Sequence, residues 1–414
     1  MFNNFIKPAL RPVWRKIYQG YEATRTSYYT FEVPIDKLLR GGENGIRAAR
    51  YAELTDNFMR PSTPITEGPH VKLLRLYEEI GDKVFEDKVF TATDYYKNAL
   101  ECLTLTGSYF YDHPEKIIQL ARRFINQYKG KDLSLPSQPG QSNSGQPIWV
   151  RPIKFSSYYE VIDGNHRIAR TIMGGEKTIK AIIYEKEPVF TPLQELLLDC
   201  LWINKQKWLY QPIEAPELKD QWTLVRQSID RLEMMKNFLT KIDYNISKKS
   251  YLDIGSSYGW FVKNFTEMGF NAFGIDRDPF SIKIGMNVYQ LKPQQITNSD
   301  IILGLNHMID QNKIFDVVSC LSVLHHFVLN KSSTTAEDFI KKIDKLTKDI
   351  LFIDTGEEHE EAFEGSLKGW NPQYIQEWIL KNTSFKKVIA LGVDQDKKPP
   401  FNQYYNRTLF ACTR

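Results

Sequence analysis

The sequence predicts an α/β protein. Its carboxyl-terminal part reads as a parallel sheet with helices on both faces, preceded by a small α+β unit and by helical segments. Three observations predict this. From residue 250, short apolar runs of strand length alternate with amphipathic stretches of helical period. The first of those strands, SYLDIG, runs directly into a small-residue turn and a helix. The last two, KKVIALGV and RTLFACTR, follow one another with no helix between them, which closes the sheet with an antiparallel hairpin.

Taken in order, residues 1–130 read mostly helical. Leu73, Leu76, Tyr77 and Ile80 recur at helical spacing, as do Ile117, Leu120, Ala121 and Phe124. Residues 131–146, KDLSLPSQPGQSNSGQ, read as a loop or linker. A compact alternation follows, and together with that stretch it makes 131–190 one small unit. IWVRPIKF and YYEVI are strands, DGNHR a turn, IARTIMGG a short helix ending at glycines, and TIKAIIYE a third strand. Residues 191–248 return to helix as a connector, through LQELLLDCLW and WTLVRQSIDRLEMMKNFLTKI. The 249–414 stretch then runs strand, helix, strand, helix through SYLDIG, GWFVKNFTEMG, NAFGIDRD and PFSIKIGMNVYQL. QITNSD is a short strand, FDVVSCLSVL a buried one, AEDFIKKIDKLTK a helix, DILFIDTG a strand and PQYIQEWILKN a helix.

Composition sets bounds. Hydrophobic residues make up 42% and charged residues 25%, the usual globular range. A net charge of +4 over 414 residues gives no electrostatic footprint for nucleic acid, and no basic helix-turn-helix segment is present. Cys102, Cys200, Cys320 and Cys412 are far apart and form no CxxC pair, which fits a reducing compartment and supplies no zinc site. No long apolar core precedes a small-residue cleavage site, and no run of about 18 apolar residues occurs. A soluble, cytoplasmic chain is expected. The first 20 residues add one feature, because Phe2, Phe5, Ile6, Leu10, Trp14 and Tyr18 alternate with Lys7, Arg11, Arg15 and Lys16. Such a segment can lie peripherally on the inner membrane surface. The other reading is an arm packed on its own protein, since Pro8 and Pro12 interrupt the helical period.

The most informative motif is DIGSSYGW, residues 253–260. A strand entering a small-residue turn lets a ligand approach the backbone closely. Asp276 falls at the end of the next strand, 21 residues after Gly255, where an acid accepts hydrogen bonds from both hydroxyls of a ribose. The series Gly255, Ser256, Ser257, Tyr258, Gly259 lacks the GxGxxG spacing of a dinucleotide fold. On these residues, 249–414 resembles the class I methyltransferases dependent on S-adenosylmethionine (SAM), a Rossmann-like, seven-stranded fold. Ser257 stands at that family's middle glycine. The resemblance implies that Asp253, Gly255, Ser257 and Gly259 shape the methionine pocket and that Asp276 binds the ribose. It further implies an acid, Asp300, near the adenine amino group, and Leu321 beside the cofactor.

The fourth strand brings Leu321, Ser322, His325 and His326 to the mouth of that site. The amino-methylating motif Asn/Asp-Pro-Pro-aromatic and the cytosine-C5 Pro-Cys pair are both missing, and mid-strand Cys320 reads as core packing. The chain thus resembles the branch that methylates small molecules and sugars. Transfer to a hydroxyl needs a base, and His325 or His326 has the right chemistry. A histidine that hydrogen-bonds the cofactor or the next helix is the alternative. Residues 355–370, TGEEHEEAFEGSLKGW, could form a lid, a base, a cation site or a solvated acidic loop, and no HExxH zinc motif occurs there.

The pentapeptide Asp163, Gly164, Asn165, His166 and Arg167 reads as an anion-gripping turn. Gly164 permits the turn, the exposed amides of the following helix face an anion, and Arg167 can fork onto phosphate oxygens. The unit strand–DGNHR–helix–strand resembles the ParB/sulfiredoxin-like fold, which implies a phosphate or a nucleotide such as ATP or CTP at this turn. Asn165 occupies the place of the sulfiredoxin cysteine, which removes that redox chemistry. Phosphotransfer and a purely structural turn are the other readings. Together the two motifs describe an enzyme that O-methylates a small-molecule or saccharide acceptor and binds a phosphorylated partner. A fused kinase and methyltransferase capping a surface glycan would unite both sites. The rivals are a partition-like DNA-binding protein and a non-catalytic SAM sensor.

Overall fold

The computed structural model describes residues 30–40, 63–106, 115–130, 146–184, 186–200 and 206–414. The basic amphipathic segment 1–20 and linker residues 131–145 lie outside the described residues. The chain divides into two compact units, Met1–Pro192 with Ala215–Gln221, and Leu193–Glu214 with Trp222–Arg414. These units cut across the boundaries drawn from the sequence. The amino-terminal helices and the DGNHR alternation share one unit, and much of the connector belongs with the carboxyl-terminal sheet.

The first unit is built on a five-stranded sheet of order β1-β5-β3-β4-β2. Its strands are β1 (Thr30–Pro34), β2 (Leu38–Arg40), β3 (Ile148–Pro152), β4 (Tyr159–Asp163) and β5 (Thr178–Ile183). Strands β3 to β5 fall where the alternation puts them. Strands β1 and β2 come from a region read as helical, and they form the two sheet edges. Strand β2, at three residues, is too short to display a period of two, and β1 shows only the brief alternation of Phe31 and Val33. They exist because they complete the ladders of β5 and β4, with Thr30 opposite Ile182 and Leu38 opposite Tyr159. The helices are α1 (Pro69–Ile80), α2 (Asp87–Phe90), α3 (Asp94–Thr106), α4 (Glu115–Tyr128) and α5 (Asn165–Met173). Helix α5 faces two ways. Ile168 joins the sheet core of Val33, Leu38, Ile148, Val150 and Ala181, while Ala169 joins the helical core of Val71, Leu74, Tyr95 and Phe124.

The second unit begins with α6 (Pro192–Asp199), a short parallel pair β6 (Trp208–Leu209) and β7 (Thr223–Leu224), and α7 (Ile229–Lys241). Here the sequence reading needs correction. Residues 222–228 do not belong to a helix, and α7 starts at Ile229 behind Ser228, whose φ is +61°. Thr223 and Leu224 form β7 instead, between the buried Trp222 and Val225.

The main sheet then forms from β8 (Ser250–Ile254), β9 (Asn271–Asp276), β10 (Ile296–Asn298), β11 (Phe315–Cys320), β12 (Thr347–Ile353), β13 (Lys387–Val393) and β14 (Thr408–Thr413). Its order is β10-β9-β8-β11-β12-β14-β13, with β14 antiparallel to both neighbours. This is the doubly wound, seven-stranded arrangement that the strand–helix alternation predicts. Alternating residues of each strand serve opposite faces. Tyr251, Val317 and Phe352 pack with α7, α8 (Trp260–Glu267) and α9 (Pro279–Val288), through Met235, Phe265 and Ile282. Leu252, Val318 and Leu351 pack with α10 (Ile301–Asp310), α11 (Leu324–Val328), α12 (Ala336–Leu346) and α13 (Pro372–Asn382), through Leu305, Phe339 and Ile379. No helix among the described residues is long and apolar enough to cross a membrane.

Candidate functional site

The carboxyl ends of the parallel strands gather the predicted residues at one edge of the second unit. Strand β8 ends in Asp253 and Ile254, and the chain turns through 255–259 into α8. Three residues of this turn are left-handed: Gly255 (φ +75°), Ser257 (φ +51°) and Gly259 (φ +80°). A Cβ on Gly255 would lie 2.5 Å from Val323 Cγ2, and one on Gly259 2.6 Å from Leu291 Cδ1, so both positions need glycine. Ser257 carries a side chain in a conformation that costs about 1–2 kcal/mol for an L-residue. Its backbone N–H offsets part of that cost by donating to Asp276 Oδ2 at 2.7 Å.

Asp276 ends β9 beside this turn. Its Oδ1 accepts from Asp278 N–H at 2.9 Å, so each carboxylate oxygen is held by one backbone donor and keeps a lone pair. Burial pushes this carboxyl above its ordinary range, and the two N–H donors pull it back. Asp253 is more enclosed. Its Oδ1 accepts from Ser319 Oγ at 2.5 Å, while its Oδ2 is buried without a hydrogen-bond partner. Burial pushes the Asp253 carboxyl up to about 7. A glycine turn, a ribose-type acid with two fixed oxygens and a carboxylate oxygen awaiting a cationic partner fit the sulfonium amino acid and nucleoside of SAM. Asp300 caps α10 by accepting from Leu303 N–H at 3.1 Å, a structural duty that explains an acid there without a ligand. Leu321 is buried just beyond β11, and Cys320 is fully buried, in keeping with core packing.

Past β11 the chain makes a second left-handed step at Ser322 (φ +60°). Asp354, at the end of β12, holds it by accepting from Ser322 N–H at 2.6 Å. Asp354 also takes Arg231 Nη1 at 3.2 Å, and Arg226 reaches Asp394 at 3.3 Å and Asp396 at 3.1 Å. All five ionic side chains are buried. The sequence reading missed this network. Only Asp354 carried a signal, as an acid ending a buried strand.

His325 and His326 open α11, their rings 4.3 Å apart. His325 is buried, and Gly356 N–H donates to its Nδ1 at 3.4 Å. His326 keeps a share of its surface exposed, and partial burial together with Lys331 and Arg277 lowers its pKa to about 4. The acidic loop 355–370 is not uniformly solvated. Glu360 is buried and grips Arg407 with both oxygens, at 2.8 and 2.9 Å, and Glu357 accepts from Thr408 N–H at 2.5 Å. His359 lies 3.4 Å from Glu357. These groups tie the loop to the start of β14. Among the described residues no cluster of His, Cys, Asp or Glu could hold a metal ion.

In the first unit, DGNHR joins β4 to α5. Gly164 has φ +117°, and a Cβ there would lie 2.6 Å from Ile148 Cγ2, so the turn requires glycine. Asp163 is exposed and pairs with Arg167 at 2.7 Å. Arg167 also donates to the carbonyls of Gln146 (3.1 Å) and Pro147 (2.7 Å). His166 turns away from the pentapeptide: its Nε2 meets Tyr95 Oη at 3.2 Å, and its ring packs edge-on against His70 and Phe124. Burial, with Arg170 and Arg167 nearby, lowers its pKa to about 4. Asn165 is the first residue of α5. The sequence reading overlooked Arg170, half-buried one turn on, whose pKa is lowered by burial and by Arg167. Its signal was the i, i+3 spacing from Arg167.

Residues 226–353 match the model of a family described as a methyltransferase domain. The second unit thus holds a methyltransferase domain. No curated protein matches the chain. Among solved structures, the bifunctional kinase-methyltransferase WbdD aligns with a TM-score of 0.40 and 17% identity, over 53% of this chain and 46% of that one. The chain thus spans under half the length of WbdD. The methyltransferase domain of bacterial CtHen1-CN aligns at TM-score 0.32 and 14% identity, over 44% of this chain and 97% of that one. Magnesium protoporphyrin IX methyltransferase (ChlM) from Synechocystis PCC 6803 with bound SAH aligns at TM-score 0.33 and 16% identity, over 45% and 82%. Likeness at these scores carries nothing about substrate.

Proposed function

We propose that the methyltransferase domain transfers a methyl group from SAM to an oxygen of a small-molecule or saccharide acceptor. The observation that carries the cofactor reading is Asp276, whose two oxygens are oriented by the N–H groups of Ser257 in the glycine turn and of Asp278. The bound cofactor supplies an electrophilic methyl on a sulfonium. The protein's part is to hold and to move protons. Asp276 accepts both ribose hydroxyls, and Asp253, buried at the end of β8 with its Oδ2 unpartnered, shapes the amino-acid end of the pocket, where a cationic group would favour its ionised form. Leu321 and the close-packed glycines exclude water from the strand ends.

The two histidines divide the acceptor work. A backbone N–H can only donate, so His325 Nδ1 is an acceptor and the neutral ring carries its proton on Nε2. His325 therefore offers a donor that orients the acceptor oxygen. His326, exposed and neutral above about pH 4, is the group that takes the acceptor proton. With methyl-labelled SAM and a panel of hydroxylated saccharides, label enters a saccharide. At saturating SAM the rate falls as pH drops through about 4, where the base is protonated. His326→Gln lowers it about 100-fold, the usual worth of a positioned base. An unlabelled panel would remove the acceptor class, and an unchanged His326→Gln rate would remove the base.

The first unit adds a phosphate-binding reading. Arg167 and Arg170 stand on one face of α5 near its amino-terminal amides, with Asp163 as the acid paired to Arg167. A phosphate group, free or on a nucleotide such as ATP, would offset the burial and the repulsion from Arg167 that together lower Arg170. Asp163, Gly164 and Asn165 shape the turn, and His166 supports it from within. No contact favours phosphotransfer over binding. Inorganic phosphate is expected to raise the melting temperature of the wild type and not of Arg170→Ala. Equal shifts in both would reduce DGNHR to a structural turn.

A further inference from the structure

Gln211 lies in the irregular segment before α7, outside residues 226–353 that match the methyltransferase family, yet its side chain is buried against the cofactor turn. Its Nε2 donates to Ser256 O at 3.2 Å, and its Oε1 accepts from Trp260 N–H at 3.2 Å. Those two partners bracket residues 257–259, of which Ser257 and Gly259 are left-handed. Ser256 O also accepts from Gly259 N–H at 2.8 Å, so the turn is closed on itself and clamped from outside. Gly259, the residue before α8, offers no side-chain cap, and Gln211 supplies one for the first helical N–H. Its amide orientation is fixed by chemistry, because Trp260 N–H only donates and Ser256 O only accepts. Neighbours of Gln211 anchor the segment: Tyr210 N–H donates to Tyr258 Oη at 3.4 Å, and Tyr289 Oη donates to Pro212 O at 2.6 Å.

This clamp answers a local strain. Ser257 sits at φ +51°, where a glycine would sit without strain. A strained residue persists only where its surroundings over-determine it. We propose that Gln211 is the positioning residue of the SAM turn, holding Ser257 in the left-handed conformation that lets its N–H orient Asp276. The proposal rests on the SAM reading above. It makes Gln211 a partner of Ser257 in setting cofactor affinity, although it need not touch the cofactor.

The test uses the full chain and S-adenosylhomocysteine as probe. Gln211→Met keeps the volume and removes both hydrogen bonds. Gln211→Glu keeps the acceptor for Trp260 and sets a carboxylate against Ser256 O. Gln211→Met is expected to weaken binding by calorimetry roughly tenfold, as the loss of two neutral hydrogen bonds implies, and Gln211→Glu by a similar factor through one lost donor and the carboxylate set against Ser256 O. In ligand-free protein, amide hydrogen exchange across 255–262 is expected to quicken in both variants. In a Ser257→Gly background the Gln211→Met loss shrinks to about threefold or less, because glycine needs no clamp to reach this conformation. If the wild type binds no probe, the cofactor reading fails and the affinity claim falls with it, while the exchange measurement still decides whether Gln211 holds the turn. If the wild type binds and Gln211→Met binds equally well with unchanged exchange, the Gln211 proposal fails alone. An undiminished loss in the glycine background overturns the compensation of Ser257.

Discussion

Asp276→Ala is expected to lower the affinity for S-adenosylhomocysteine by about 100-fold or more in calorimetry. Two charge-assisted hydrogen bonds to a ribose account for about 3–5 kcal/mol, which corresponds to that range. A second loss adds to it. Without the carboxylate, Ser257 N–H and Asp278 N–H lose their acceptor, and the turn at Ser257 is free to leave its left-handed conformation. Asp276→Asn separates the two effects. An amide can accept from one of the N–H groups but turns a donor toward the other, so an intermediate affinity is expected. The wild type should also weaken toward acid. Burial raises the Asp276 carboxyl above the ordinary value of about 3.9, so the accepting form is lost as pH falls through a range higher than for a free aspartate. An Asp276→Ala protein that binds the probe as tightly as the wild type would leave the turn without its ribose acid.

The parts of this site that were legible in the sequence are those made by neighbours in the chain. Strand, glycine turn and helix are consecutive, so DIGSSYGW announced its geometry, and Asp276 followed from the next strand end. The strand–helix alternation announced a parallel sheet with a closing hairpin but not its order, because β11 leaves the β10 edge to pair beside β8 and β13 lies outside β14. What was not legible depends on distant partners. Strand β2 is too short to show a period, β1 alternates over only five residues, and the ladders they complete make them strands. Gln211 has no pattern of its own, and it matters through two backbone atoms of the turn. In DGNHR the residue types suggested a hand reaching outward. The fold turns His166 inward to Tyr95 and spends part of Arg167 on carbonyls. Composition of a pentapeptide does not say which side of a helix each member faces until the packing partners are known.

The largest effect on stability is expected at Arg226. Replacing it with alanine should destabilise the second unit by about 3–5 kcal/mol in denaturant unfolding, the range for breaking a buried ion pair from one side. Arg226 is 1% exposed and neighbours Asp354, Asp394 and Asp396, which sit at the ends of β12 and β13. Its ring partner, Tyr405, lies 4.0 Å from the guanidinium. Burial alone would raise Asp354, but Arg231 and Arg226 hold it below the ordinary range. In the wild type that carboxylate therefore adds stability that is present at neutral pH and is lost only as pH falls through its depressed value. Removing Arg226 reverses the situation for the acids it served. Asp396 is already raised by burial, and without its cation it should rise further. A carboxyl whose folded pKa lies above its unfolded one favours the folded state when protonated, so the variant should recover stability as pH falls from 7 toward 5. The deficit relative to wild type should be smaller at pH 5 than at pH 7. Asp354 also fixes Ser322 at the mouth of the site, so a variant that still folds should show reduced methyl transfer with cofactor affinity largely kept. A deficit independent of pH would mean that Arg226 contributes packing against Tyr405 and not charge.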